Sequence, residues 1–217
     1  MRITILYDNE AMDNLESGWG FSCLIEHEGS IVLFDTGWDG GMLRRNMDKH
    51  SIPFDKIEHI VVSHNHWDHI GGLNEVLTPQ ATVYVPASFS VPLKEEIGMR
   101  AARVDVAGSV RITPSVFSLG ELGKDIKEQS LGLVTGQGVV VVTGCAHPGL
   151  DHIMAAARPW GTLRGVIGGF HGFDNIGILK EMSLIVPCHC TKKKQEILDM
   201  YPDTSLLGTT GLTVVLD

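Results

Sequence analysis

Cysteine is scarce in this chain. Four residues in 217 (Cys23, Cys145, Cys188 and Cys190) are too few for a disulfide framework at this length. Positive charge is also short. Seventeen lysines and arginines face twenty-six aspartates and glutamates, a net −9 with histidine neutral. That argues against the broad basic face on which nucleic-acid binding depends, so no nucleic-acid partner is expected. No apolar run reaches the roughly eighteen residues of a membrane span, and the first residues, Met1 to Asp8, turn acidic too soon for a signal peptide. A soluble, cytoplasmic protein without a membrane partner is therefore expected. There is no low-complexity segment, linker or obvious repeat, so no domain boundary is drawn and residues 1–217 read as a single domain. With 43% hydrophobic and 20% charged residues the composition is that of an ordinary globular chain, long enough to bury a sizeable core.

What the chain does have is strands, first in pairs and then alternating with helices. Arg2–Asp8 alternates like a strand. Phe21–His27 and Ser30–Asp35 flank Glu28-Gly29, a hairpin signal. Gly40–Lys49 carries Met42, Leu43 and Met47 at helical spacing, and Pro53 follows it. Ile57–Ser63 is a short apolar run, then Ile70–Leu77 reads as a helix. Further strands fall at Thr82–Val85, Val104–Thr113, Val116–Leu119, Ser130–Thr135, Val139–Thr143, Leu163–Ile167 and Leu184–Pro187. Helices follow several of them, including one over Lys192–Met200. Leu206-Leu207 and Thr213–Leu216 read as closing strands. This grammar suggests an α/β fold of mixed sheets with helices packed outside.

Ten histidines are not evenly spread. Four times a strand candidate runs out into a loop carrying histidine: His64 to His69, His147, His171 and His189. Functional groups in α/β folds gather at strand ends, so four such endings on one sheet edge can converge. The stretch His64-x-His66-x-Asp68-His69 carries most information. Alternate side chains of an extended segment share a face, so His64 and His66 can bind one cation, and Asp68 with His69, after the chain turns, a second. Neutral imidazole suits zinc, iron and manganese to different degrees, and the carboxylate hardens the second position. Gly71-Gly72 behind the motif marks a close turn of the chain.

Ser63-His64-Asn65-His66-Trp67-Asp68-His69-Ile70-Gly71-Gly72-Leu73 resembles the HxHxDH signature of the metallo-β-lactamase superfamily, and Leu33-Phe34-Asp35-Thr36-Gly37 resembles the strand-end Asp-Thr-Gly that precedes it there. Three further stretches, Thr143–Gly149, Gly168–His171 and Pro187-Cys188-His189-Cys190-Thr191, resemble the branch of dihydropterin–ribofuranosylaminobenzene phosphate synthase-like metal-dependent hydrolases. The resemblance implies an αβ/βα four-layer sandwich, two mixed β-sheets face to face with helices outside, and a one- or two-metal site at one edge. It implies that His64, His66 and His147 hold the first metal and Asp68, His69 and His189 the second. The cofactor would be two divalent ions, zinc foremost, with manganese, iron or magnesium compatible. Superfamily members commonly carry a bridging aspartate where this chain has Cys145, which either ligates as a thiolate or packs.

The remaining residues of note divide as follows. His171, between Gly169 and Gly172, can approach substrate or serve as acid or base; with Asp68 it completes the catalytic pair. Cys188 and Cys190 alternate with His189 and read as packing residues on the opposite face. Asp35 is placed to accept a hydrogen bond from a ligand imidazole, and Asp8 to help in the same way. Lys192-Lys193-Lys194 opens a helix against its dipole, either solvated or reaching an anionic substrate. Trp19, Trp38 and Trp67 read as core or rim packing. The expected activity is metal-assisted hydrolysis of an ester, lactone or phosphoester-type bond in a small molecule. The alternatives are a dihydropterin–arylamine transfer that releases pyrophosphate, and a non-catalytic metal-dependent sensor or binding protein.

Overall fold

Val139-Val140-Val141-Val142 is apolar on both faces and buried throughout, which requires cover on both sides of its strand. The period of two divides the run: Val140 and Val142 enter one core with Ile5, Phe34 and Val61, while Val139 and Val141 pack with Leu150, Ile153 and Met154 in another. That division generates the four layers. In the computed structural model, which describes residues 1–12 and 14–217, the first sheet contains β1 (Arg2–Tyr7), β2 (Ser22–His27), β3 (Ser30–Phe34), β4 (His59–Val61), β5 (Thr82–Pro86) and β6 (Ala102–Val106). The second contains β7 (Val110–Arg111), β8 (Val116–Leu122), β9 (Glu128–Thr135), β10 (Gly138–Thr143), β11 (Leu163–Gly169) and β12 (Leu184–Cys188), and β13 (Thr213–Val215) returns to the first. The orders are β13-β1-β2-β3-β4-β5-β6 and β12-β11-β10-β9-β8-β7.

Both sheets are mixed. β1 to β3 pair antiparallel and β3 to β6 parallel; β7 to β10 pair antiparallel and β10 to β12 parallel. One core fills the space between the sheets. The outer face of the first sheet packs on α1 (Gly40–Lys49), α3 (Leu73–Val76) and α4 (Val91–Gly98), through Leu43, Met47, Leu73, Val76 and Ile97. α2 (Trp67–Ile70) lies between α1 and α3 in sequence, within the histidine motif. The outer face of the second sheet packs on α5 (Leu150–Ala157) and α6 (Lys194–Met200). The αβ/βα sandwich is therefore the architecture. No helix among the described residues is long and apolar enough to cross a membrane.

Local chemistry places several boundaries where the sequence suggests. Glu28 and Gly29 both take positive φ (50° and 85°), as the central residues of a type I′ hairpin turn do. Asp39 caps α1 by accepting from the Met42 amide. Four expectations change. The run Val104–Thr113, expected as one strand, divides between β6 of the first sheet and β7 of the second. The single helix over 70–77 is two short turns, α2 and α3, because Gly71 and Gly72 press against the backbone of Trp38 and Thr36. The last helix starts at Lys194 rather than Lys192, with Lys193 as its cap. Leu206-Leu207 forms no strand; both side chains are exposed, and only Ser205 beside them makes an isolated bridge, to Ile185.

Gly71 has an ordinary helical φ of −59°, so its requirement is space rather than backbone freedom. A Cβ there would lie 2.0 Å from the Trp38 carbonyl oxygen and 2.8 Å from that of Trp67. Gly71→Val is expected to destabilise the fold by about 3 kcal/mol, the upper part of the range for overpacking; chemical denaturation against the parent checks this, and an unchanged midpoint would refute the steric reading.

Candidate metal centre

Because β1 runs in the same sense as β3 and β4, and β10 in the same sense as β11 and β12, the residues that follow these strands come out at one edge of the sandwich. Asp8 follows β1, Asp35 β3, Ser63 to His69 β4, Cys145 to His147 β10, His171 β11 and His189 β12. Glu128 joins them from the start of β9, which is antiparallel to β10. The chain turns sharply there. Asp35, Ala146, His171 and His189 have φ of 57°, 56°, 45° and 44°, left-handed values that L residues avoid and that mark strain stored at sites.

Two triads of donors result. His64, His66 and His147 form one, and Asp68, His69 and His189 the other; within each, the ligand atoms lie within 4.8 Å of one another. His64 Nε2 is 3.0 Å from His66 Nδ1, and His189 Nε2 is 3.1 Å from Asp68 Oδ2. The triads adjoin, with the His64 and His69 rings 4.2 Å apart. The structure thus brings together all six residues expected to ligate.

The orientation of these rings is set from behind. His69 Nδ1 donates to Asp35 Oδ2 at 2.7 Å. His64 Nδ1 donates to Ser63 Oγ at 2.8 Å, and that hydroxyl donates onward to Asp35 Oδ2 at 2.7 Å. His147 Nδ1 donates to Glu128 Oε2 at 2.9 Å, and His189 Nδ1 to Asn9 Oδ1 at 3.0 Å. With Nδ1 occupied as donor, each of these four rings keeps its Nε2 lone pair for another partner. The tautomers follow from these partners. Asp8 supports the last strand end by accepting from the His189 amide at 2.8 Å.

Electrostatics favour the same state. Burial first, and the neighbouring imidazoles second, lower His64 and His69 to about 3, so both are neutral at pH 7 and competent to donate to a cation. Burial pulls the Asp68 carboxyl upward, but the close His189 and His69 imidazoles outweigh it and hold Asp68 below the usual carboxylate range. Glu128 is likewise held down against burial by His147, His64 and backbone amides. Its Oε1 accepts from Thr143 Oγ1 and from the amides of Gly144, Cys145 and Ala146, and its Oε2 from the His147 amide. Asp35, wholly buried, is raised by that burial to about 7. Neutral Nε2 atoms and a charged Asp68 form a donor set that fits divalent cations.

Glu128 lies in none of the sequence motifs yet anchors the turn after β10. Its signal was an acidic residue heading the polar run Glu128-Gln129-Ser130 in an otherwise apolar strand, all three buried. Cys190, expected as a packing residue on the face opposite His189, instead turns toward Cys145. Cys188 does pack in the core between the sheets, but the turn at His189 ends the strand alternation, and Cys190 Sγ lies 3.2 Å from Cys145 Sγ. Cys145 Sγ in turn lies 3.1 Å from His69 Nε2. His171 stands exposed at the mouth, its ring 5.1 Å from that of His147. Partial burial, then His147 and Lys192, shift it downward. Of the three lysines, Lys193 pairs with Asp174 and Glu196, and Lys194 with Glu10 and Asp8. Lys192 lies beside Gly172, its Nζ 3.8 Å from where a Cβ would be. Trp19, Trp38 and Trp67 are all more than half exposed, rim rather than core, and Trp19 stands edge-on to His189 at 4.7 Å. A cleft of about 680 Å³ opens beside His147, lined by Leu122, Lys124, Ile126, Pro148 and His152 among others.

Comparison with known proteins identifies the family. The family model of the metallo-β-lactamase superfamily matches residues 20–156, and the chain belongs to that superfamily. A 7,8-dihydropterin-6-methyl-4-(β-D-ribofuranosyl)-aminobenzene-5′-phosphate synthase of Methanocaldococcus jannaschii is 26% identical, over 83% of this chain and 83% of that protein. An uncharacterised protein of the same organism is 25% identical over 87% of this chain and 90% of its own length. Among solved structures, a metal-dependent hydrolase of the β-lactamase superfamily superposes with a TM-score of 0.84 at 25% identity, covering both chains fully.

Glu128 gives the test of this architecture. Glu128→Gln keeps the shape but removes the charge and turns an amide NH₂ toward N–H donors. It is expected to cost about 3 kcal/mol, as breaking one side of a buried ionic network does, in urea melts of chelator-treated protein; a loss below about 1 kcal/mol would contradict the anchoring role.

Proposed function

We propose that this protein is a metal-dependent hydrolase with a dinuclear His/Asp centre that acts on an ester, lactone or phosphoester-type bond of a small, anionic molecule. The observation that carries the reading is the set of four imidazoles anchored through Nδ1, with Asp68 charged among them. His64, His66 and His147 would hold one ion, and Asp68, His69 and His189 the other, with zinc the favoured metal. Divalent ions so held would make a water nucleophilic at neutral pH and offset charge on the departing oxygen.

The chain's own groups do the rest. Asp68 Oδ2 and His189 Nε2 stand 3.1 Å apart and face the same ion position, and the Asp68 carboxylate would orient the attacking water by accepting a hydrogen bond from it. His171, shifted toward its neutral form, serves as a base or hydrogen-bond partner for substrate at the mouth. Asp35 and Glu128 keep their imidazoles from rotating. The cleft beside His147 combines apolar Leu122, Ile126 and Pro148 with Lys124 and His152, which suits an organic body bearing negative charge; Lys192 adds positive charge near His171.

A second reading is group transfer, because the relative that is 26% identical carries the name of a synthase. Transfer would place the same residues against a leaving pyrophosphate. Turnover with water as the acceptor separates the two.

Asp68→Ala should keep the fold and reduce bound metal by about one ion per chain. Hydrolysis of a generic phosphodiester or lactone should fall by a factor of about 10³ or more, of the order expected for loss of a metal-activated nucleophile. Elemental analysis and a turnover assay with and without chelator check this. Full metal content at full rate would remove Asp68 from the centre.

A further inference from the structure

We propose that Cys145 and Cys190 act as a thiolate pair which, with His189, binds a thiophilic divalent cation and so makes one side of the centre selective for metals of the zinc and cadmium class. The inference rests on the metal-centre reading above and concerns which metal the chain prefers. Cys145 Sγ, Cys190 Sγ and a ring nitrogen of His189 lie within 4.8 Å of one another, and the two sulfurs are 3.2 Å apart. With Zn–S of about 2.3 Å and Zn–N of about 2.0–2.1 Å, the ligands of one tetrahedral zinc stand roughly 3.4–3.8 Å from each other. Three donors with this spread need little movement to share an ion.

The pair is built by the fold rather than by proximity in sequence, since one cysteine follows β10 and the other follows β12. Two features aim Cys190 at Cys145. His189 takes φ of 44°, which breaks the alternation that would have sent Cys190 toward the same core as Cys188. Gly169 leaves the space: a Cβ there would stand 2.7 Å from Cys190 Sγ and 2.4 Å from the Gly144 carbonyl oxygen. The surroundings are imidazoles and carboxylates, with His69 Nε2 3.1 Å from Cys145 Sγ, so apolar packing does not account for two thiols here.

Ligation as thiolates forms two sulfur–metal bonds, gives up the thiol protons to solvent and changes no oxidation state. Thiolates favour soft and borderline cations, whereas imidazole and carboxylate alone also accept manganese and magnesium. Sharing His189 with the Asp68–His69 triad joins this pair to the second ion position.

The test uses the full chain, freed of metal under a non-thiol reductant and loaded with Co²⁺. The parent should show a near-ultraviolet sulfur-to-cobalt charge-transfer band. The band should fall by about half in Cys145→Ser and in Cys190→Ser and vanish in the double variant. Retention of Cd²⁺ against a competing chelator should weaken about tenfold or more in Cys190→Ser, while retention of Mn²⁺ changes less than about twofold. X-ray absorption at the zinc edge of the parent, which needs no variant to fold, should show sulfur neighbours at about 2.3 Å, about one per zinc when both ion positions are filled and about two when only the cysteine-bearing position is. Cobalt binding without a charge-transfer band would overturn the thiolate pair and leave the imidazole–carboxylate centre standing. A band unchanged in Cys190→Ser would overturn the role of Cys190. Failure to bind cobalt, zinc or cadmium at all would overturn both this proposal and the centre beneath it.

Discussion

Two carboxylates with no access to solvent hold the edge of this sandwich in place. Asp35 takes hydrogen bonds from Ser63 and His69, and through Ser63 it steers His64. Glu128 takes the amides of four consecutive residues together with the His147 ring. A buried carboxylate is costly unless its lone pairs are met. The need to meet them dictates the path of the chain after β4 and after β10. The donor atoms are consequences of that path, since each imidazole tied at Nδ1 can turn only Nε2 to the centre.

The same constraint explains the strained backbone. Asp35, Ala146, His171 and His189 occupy left-handed conformations at the ends of β3, β10, β11 and β12. Each costs of the order of 1 kcal/mol, and each is held by the hydrogen bonds around it. A strand that simply continued would carry these side chains alternately to opposite faces. The reversal of the backbone brings successive groups, such as His189 and Cys190, toward one point. Stability therefore resides in the three apolar layers, and the edge is free to depart from regular geometry.

Much of this was legible in the primary structure, for identifiable reasons. His64, His66, Asp68 and His69 are close in sequence, so their chemistry is local and their spacing alone implies cation binding. Val139–Thr143 reads as a strand from its apolar run, and Glu28-Gly29 implies a tight hairpin. Glu128 was illegible because its role depends on β9 lying antiparallel to β10, a long-range pairing. Cys190 departs from strand alternation because β12 ends at Cys188 and the backbone reverses at His189. The helix after His69 was drawn as continuous because the closeness of Trp38 to Gly71 involves a segment thirty residues away.

The order of amino acids by itself determined the class of fold, the residues able to ligate and the acidic balance of charge, because periodicity, local spacing and composition act over short distances. Only the tertiary structure decided which ring nitrogen each histidine presents, which carboxylates stand behind them and that two cysteines from separate strands meet. Those outcomes depend on the pairing of strands far apart in the chain, and on the desolvation that makes each buried polar atom find a partner.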